Sequence, residues 1–88
     1  MKSVNCVASR EAVYSAIDSE RDYQEQLARN DVVDQRPLEQ LALVEHVIIQ
    51  AKADWYNKPG SFDMNYFRKI AGIAVRAMEQ HGAPYRCR

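Results

Sequence analysis

The sequence has little that would cross-link or interrupt a chain. Its 88 residues include only two cysteines, three glycines and three prolines. Cys6 and Cys87 lie near opposite ends and form no CxxC pair, so they predict neither a zinc site nor a disulfide framework, and we expect free thiols. Apart from Gly72, the few glycines and prolines cluster where helices should stop, which leaves three long segments between them.

An excess of one charge is also missing. Lysine plus arginine and aspartate plus glutamate both number 12, so the formal net charge is zero. No bulk positive field exists to hold nucleic acid or anionic lipid, and nucleic acid is not an expected partner. No apolar run approaches the roughly 18 residues of a membrane span, and no signal-peptide core follows Met1. We therefore expect a cytoplasmic protein that binds no membrane.

What is present is helical periodicity. Apolar residues recur at spacings of three and four, and strand alternation does not occur. Ser9 is the expected N-cap of the first helix, Pro37 suits the first turn of the second, and Gly82 should end the third. The predicted fold is all-α, a three-helix antiparallel bundle forming one domain over residues 1–88. The predicted helices span about 9–29, 37–56 and 62–81.

The second helix has more apolar residues than one stripe accommodates. Leu43 and Val47 lie off its main stripe, so this helix is either central in the bundle or half of a dimer interface. We expect a homodimer formed through it. In the third helix, Gly72 should point away from the buried face, where close contact with another chain would explain it. The main stripe of the second helix, in which we expect Ile48 to be buried, is Leu38, Leu41, Val44, Ile48, Ala51 and Trp55.

The other two helices have simpler apolar faces. Val13, Ala16, Ile17 and Leu27 form the stripe of the first helix. The expected buried face of the third, with Ile70 at its centre, is Tyr66, Phe67, Ile70, Ile73, Ala74, Ala77 and Met78.

Five polar residues fall on or beside these stripes. If they face inward, they must pair with one another, bind a ligand or lie at a wet interface, because burying an unpaired charge is prohibitive. For Glu20 and Gln24 the alternative is an edge position or a satisfied network, and for Glu45 and Lys52 it is a solvated edge. His81 suits a helix C-terminus as a cation, which favours a capping role. The candidate polar pocket consists of Glu20, Gln24, Glu45, Lys52 and His81.

A basic strip is the candidate contact surface for a protein partner. Its members, predicted on the outer side of the third helix and in the tail, are Arg68, Lys69, Arg76 and Arg86. They could contact phosphates or an acidic protein surface, and a solvated face is the alternative. The sequence contains no Gly-rich phosphate loop, HExxH, CxxC or nucleophile elbow. We therefore assign no catalytic residue, no metal ligand and no cofactor.

Two stretches carry a resemblance to known proteins. "AIDSERDYQEQ", with Glu20-Arg21-x-x-Gln24, and "FRKIAGIAVRAMEQHGAP" resemble small phage and prophage helical proteins. More distantly, the same helices are similar to those of the all-α nucleotide pyrophosphohydrolases of the MazG type, which hold magnesium with paired carboxylates. Here Ile48 stands three residues after Glu45, and basic residues replace carboxylates in the third helix. The resemblance implies the scaffold without the reaction.

These observations lead to a non-catalytic, phage-type interaction protein that binds and modulates or inhibits a host protein, such as a defence component, in the bacterial cytoplasm. One alternative is a degenerate MazG-like nucleotide-binding protein or a divergent nucleotide pyrophosphohydrolase, so a nucleotide ligand stays open. Another alternative is a DNA-binding protein that contacts DNA with its third helix. The zero net charge argues against it.

Overall fold

The computed structural model describes residues 7–28 and 35–86. The described part of the chain contains no strand, and the predicted all-α fold is confirmed. The observed bounds differ from the predicted ones by three residues at most, and the largest difference is at the start of the third helix. Both cysteines lie outside the described residues, so their expected free-thiol state stays a prediction. The helices are α1 (Arg10–Ala28), α2 (Pro37–Asn57) and α3 (Asn65–His81).

Local hydrogen bonds begin α1 and α2 near the predicted positions. The Ser9 hydroxyl accepts a hydrogen bond from the Ala12 N–H at 3.1 Å, which confirms Ser9 as an N-cap. At α2, the backbone N–H of Arg36 donates to Glu39 Oε1 at 2.8 Å. Pro37 occupies the first helical position, where its missing N–H leaves no intrahelical bond unmade.

The bounds of α3 also follow from local chemistry. Asp63 Oδ1 accepts a hydrogen bond from the Asn65 N–H at 2.9 Å, so a side-chain turn precedes the helix and moves its start beyond residue 62. Gly82 ends the helix at φ 117°, a conformation that L side chains rarely adopt. Its N–H donates to the Met78 carbonyl at 2.9 Å, as expected for a glycine cap.

The third helix is the central one. Both α1 and α2 pack against α3, and among the described residues α1 and α2 make no contact with each other. Gln40 Nε2 donates to Gln80 Oε1 at 2.7 Å, and Asp54 lies beside Tyr66, so α2 runs antiparallel to α3. Of the two alternatives for the second helix, a central position in the bundle is therefore wrong, and a dimer interface stays a prediction. The small side chains of α3 allow two helices to approach it from different sides.

The interior contains few large apolar side chains. Ala51 is the one buried apolar residue in the described part of the chain, whereas the polar Glu20 and Gln40 are only 6% and 2% exposed. Ile70 is half-buried. Ile48 is 38% exposed, so the prediction that it is buried is wrong. It is wrong because α2 turns a neighbouring line of residues toward α3. That line consists of Gln40, Val44, Val47, Ala51 and Asp54.

The predicted faces of the other helices need similar corrections. On α1, Val13 and Leu27 are exposed, and only Ile17 of the predicted stripe is half-buried. On α3, Phe67 and Met78 are exposed as well. The apolar periodicity indicated which face each helix could bury. For α1, the polar contacts with α3 determine which face is turned toward α3. None of the described helices combines the length and apolar character needed to cross a bilayer.

Candidate functional site

The Glu-Arg-x-x-Gln motif of α1 lies where α1 meets α3. Glu20 Oε1 accepts a hydrogen bond from Arg68 Nε at 2.8 Å, and Glu20 Oε2 accepts one from Gln24 Nε2 at 3.0 Å. Gln24 Nε2 also lies 3.4 Å from the Lys69 carbonyl oxygen. Because Glu20 is buried, its carboxylate needs these donors. We call Glu20, Gln24, Arg68 and Gly72 the polar seam.

Gly72 gives the polar seam its close approach. It is buried, and a Cβ built at this position would lie 2.7 Å from Glu20 Cγ and 2.8 Å from Gln24 Nε2. The expectation that Gly72 points outward, toward another chain, is wrong. The residue is a glycine because α1 occupies the space a side chain would need. Its lower helix propensity therefore has an intramolecular cause, and it no longer supports a dimer.

The remaining motif residue, Arg21, joins α1 to the far end of α3. Its Nη2 donates to Glu25 Oε1 and to Glu79 Oε1, each at 2.7 Å. Burial opposes the charge on Arg21, but the hydrogen bonds to the two carboxylates outweigh it and raise its pKa. The Arg21 hydrogen bond in turn lowers the pKa of Glu25 below its ordinary value. All the specified residues of the motif therefore contribute to helix docking.

The five residues of the candidate polar pocket do not come together. Glu20 and Gln24 form a satisfied network in the polar seam, which was one of the alternatives. Glu45 and Lys52 are exposed on α2, and neither forms an ion pair within the described part of the chain. His81 Nε2 donates to the Gln35 carbonyl at 2.8 Å, joining the end of α3 to the segment before α2. Residues 7–28 and 35–86 include no cluster of three His, Cys, Asp or Glu side chains able to hold a metal ion.

The basic residues do not form a single outer strip. Arg68 is bound to Glu20 in the polar seam, and Arg76 is half-buried in a crevice beside Gln24, so their predicted outer placement is wrong. Lys69 is exposed, with its Nζ 5.5 Å from the centroid of the Tyr66 ring. Arg86 is exposed. A role for these residues in partner contact stays a prediction.

An apolar cavity between α2 and α3 is the surface that sequence reasoning missed. Its volume is about 550 Å³. Phe62, in the turn before α3, lies with its ring centroid 6.2 Å from that of Tyr66 and 5.6 Å from that of Phe67. An aromatic residue directly after the "NKPGS" turn was the available signal. We call this cavity the aromatic groove, and it is lined by Ile48, Ala51, Lys52, Trp55, Phe62, Tyr66, Phe67 and Ile70.

Tyr66 brings one polar group, its hydroxyl, to the residues that line this groove. Burial, and after it the charges of Asp54 and Asp63, raises the pKa of the Tyr66 hydroxyl. The hydroxyl is protonated at neutral pH, as an unshifted tyrosine would be, and it lies beside Asp54. Lys52 is the only charged side chain among the residues that line the groove. The surface offered is thus apolar and aromatic, with one cation at its edge.

A second apolar surface begins at the edge of the aromatic groove and continues over the side of α2 that α3 does not cover. We call it the outer face. Glu45 and Lys52 are the charged residues on it, and their neighbours on the helix surface are large, exposed and apolar. The outer face consists of Leu38, Leu41, Glu45, Ile48, Ile49, Lys52, Trp55 and Tyr56.

Comparisons of the chain with protein-family models, with curated proteins and with solved structures gave no match.

Proposed function

We propose that this chain is a small, non-catalytic interaction protein of phage type that binds and modulates a host protein. The observation that carries the proposal is that the chain buries polar residues and exposes large apolar ones. The described part of the chain buries Glu20 and Gln40, while large aromatic side chains such as Trp55 and Phe67 remain 48% and 57% exposed. Polar groups hold the helices together, and much of the apolar surface remains available to a partner.

The aromatic groove is the proposed host-binding surface. Exposed aromatic side chains in a concave apolar site are typical of positions that dominate binding energy at protein interfaces. Trp55 on α2 and Phe67 on α3 form its two rims, and helices hold both in place. A partner that inserts an apolar side chain between them would bury aromatic surface at little ordering cost, because the site is already formed. Lys69, Arg76 and Arg86 remain proposed charged contacts. Lys69 lies beside Tyr66 of the groove, whereas Arg76 lies in a separate crevice and Arg86 follows the end of α3.

The homodimer expected from the sequence is part of the same proposal. Its support is now the outer face of α2 alone, because Gly72 is occupied by α1. The nucleotide-binding alternative has no comparable observation in its favour, since Arg68 and Gln24 engage the Glu20 carboxylate.

Affinity capture from a bacterial host lysate tests the host-binding proposal, provided that it compares variants. Phe67→Glu places a charge on the rim of the groove at a residue that is 57% exposed, so folding should survive. We expect one host protein to be retained by the unchanged chain and lost with Phe67→Glu. The matched control is Tyr85→Glu, which changes a 94% exposed aromatic residue outside the groove and should retain that protein.

Circular dichroism of each variant shows whether the helices persist. Capture of the same proteins by all three chains, or of none by the unchanged chain, would contradict the proposal.

A further inference from the structure

We propose that the outer face of α2 is covered by a second copy of this chain, antiparallel about a two-fold axis, with Glu45 of each copy opposite Lys52 of the partner subunit. The inference deepens the proposed interaction function and rests on its homodimer part. It names the surface, the register and the polar contacts of that dimer.

The first support is the periodicity of the outer face. Positions 38, 41, 45, 48, 52 and 55 follow one another at spacings of three and four, which is the pattern of a helix that packs along its length on another helix. Gln40, Val44 and Ala51 belong to the neighbouring line that faces α3. The helix therefore has two lines of residues suited to packing, and within the described chain only the line toward α3 is buried or half-buried.

The charges on this face are complementary to themselves. Glu45 and Lys52 are seven residues apart, roughly 10 Å along the helix, with Ile48 and Ile49 between them. A two-fold axis through the middle of Ile48–Ile49 is equally distant from both charges. An antiparallel pair centred there brings each Glu45 to Lys52 of the partner subunit, twice over. A parallel pair would set like charges together, which is unfavourable.

Neither charge has an ion-pair partner in the described part of its own chain. They are also too far apart along α2 to pair with each other, because helix neighbours lie three or four residues apart. A face with one charge of each sign, placed symmetrically about an apolar centre, fits a second copy without requiring a partner of different composition.

The available area is adequate for a stable dimer. The apolar side chains of the outer face range from 38% exposed at Ile48 to 79% at Tyr56. With the stems of Glu45 and Lys52, they offer on the order of the ~800 Å² per partner that a standard interface buries. Ile48, Lys52 and Trp55 also line the aromatic groove. The second copy packs on the outer side of these residues, so the interior of the groove between Trp55 and Phe67 stays open to the host protein.

Exchanging the charges of Glu45 and Lys52 in the 88-residue chain tests whether these two residues face each other across the dimer. We expect light scattering and sedimentation equilibrium at micromolar concentration to give about twice the 10.1 kDa of one chain. Glu45→Lys alone, or Lys52→Glu alone, should weaken the dimer about ten-fold or more, because each creates two like-charge contacts. The double variant Glu45→Lys with Lys52→Glu restores both pairs in reversed sense and should return the dissociation constant to within about three-fold of the original.

Asp22→Lys is the matched control. It makes the same change of charge as Glu45→Lys, at an exposed carboxylate of α1 that forms no ion pair among the described residues. We expect it to leave the dissociation constant unchanged, and circular dichroism should show the same helix content in every variant. A monomeric original chain, single variants that dimerise normally, or a double variant as weak as the singles would overturn the proposed dimer.

The two proposals fail separately. If the chain is a monomer and still captures a host protein that Phe67→Glu loses, the dimer is overturned and the interaction function is kept. If the chain dimerises, the double variant restores the dimer and no host protein is captured, the inferred interface is kept and the host-binding proposal is overturned.

Discussion

Single polar residues decide how α1 is attached to the rest of the molecule. Glu20, Gln24 and Arg68 satisfy one another in the polar seam, and Gly72 provides the room for them. Such a network is favourable only while every member has its partner, because a buried charge left alone is strongly destabilising. The position of α1 therefore depends on a few specific atoms more than on the amount of apolar surface.

Gly72→Ala should destabilise the protein although alanine is the better helix former. The substitution gains up to about 1 kcal/mol of helix propensity. It also places a methyl group 2.7 Å from Glu20 Cγ and 2.8 Å from Gln24 Nε2, and moving both side chains breaks the polar seam. We expect a net loss of about 1–3 kcal/mol in the free energy of unfolding, measured by urea denaturation.

The control for that substitution is Ala74→Gly, at an exposed position of the same helix. This substitution should lower the free energy of unfolding only by the difference in helix propensity between alanine and glycine, about 1 kcal/mol. A Gly72→Ala chain more stable than the original would show that α1 does not need this close approach.

The ion pair between Arg21 and Glu25 should make stability depend on pH in the acid range. The Arg21 hydrogen bond lowers the pKa of Glu25, so the folded chain binds this proton less readily than the unfolded chain. The stabilisation that the ion pair gives the folded chain is fully present above the ordinary carboxyl pKa of about 4.3. It is lost as the pH falls through the lowered pKa of Glu25 in the folded chain. Glu25→Gln should lower the melting temperature at neutral pH and flatten its decline on acidification.

Melting curves of the original chain and Glu25→Gln at several pH values measure this dependence. Asp22→Asn, on the same helix but without an ion pair among the described residues, is the control and should follow the original chain. Parallel pH profiles for the original chain and Glu25→Gln would contradict a stabilising role for the pair.

At the scale of whole helices, α2 is the element with two packing lines. Ala51, on the line toward α3, is buried, whereas Ile48, one turn away on the outer face, is 38% exposed. Ile70 of α3 is half-buried and lines the aromatic groove. These positions replace the sequence-based expectation that Ile48 and Ile70 are both buried.

Ile70→Ala should cost more folding stability than Ile48→Ala. Half-burial at Ile70 predicts a loss of roughly 1–3 kcal/mol in the free energy of unfolding, below that of a fully buried isoleucine. At Ile48 we expect less than about 1 kcal/mol at dilutions where the chain is monomeric, and a larger loss at concentrations where the original chain is dimeric. Urea denaturation at two protein concentrations separates the two effects. If both substitutions lowered the free energy of unfolding equally and at every protein concentration, Ile48 would belong to the core of the single chain.

At the scale of the whole molecule, no three carboxylates come together to hold a metal ion among the described residues. Glu20 is held by Arg68, Glu25 and Glu79 share Arg21, and Glu45 lies on the outer face. Magnesium-assisted phosphate chemistry needs several carboxylates around one ion, because the cation must be held while it bridges phosphate oxygens. The arrangement of the three helices separates such groups and turns apolar surface outward.

We therefore expect no magnesium-dependent hydrolysis of nucleoside triphosphates. Pyrophosphate release in the presence of magnesium is the measurement, with heat-denatured protein giving the background. Activity above background that Glu45→Gln abolishes would contradict this prediction and would favour the pyrophosphohydrolase alternative. Activity unchanged by that substitution would point to a contaminating enzyme.

Local chemistry in the sequence was enough to place the three helices. Ser9, Pro37 and Gly82 act on backbone groups within a few residues, so their effects can be read without knowing the partner helices. The surplus of apolar residues in α2 was visible for the same reason, because one helix determines which of its residues share a face.

Tertiary structure alone decided which face each helix buries. Glu20 and Arg68 are 48 residues apart in the chain, and no local pattern states that they meet. Gly72 was expected to face outward because its own helix gave it no neighbour, yet α1 fills the space beside it. The aromatic groove likewise needs Trp55 from α2 and Phe62 from the following turn. Such contacts depend on how the helices are rotated and packed together, and that arrangement is set by pairings between residues far apart in the chain.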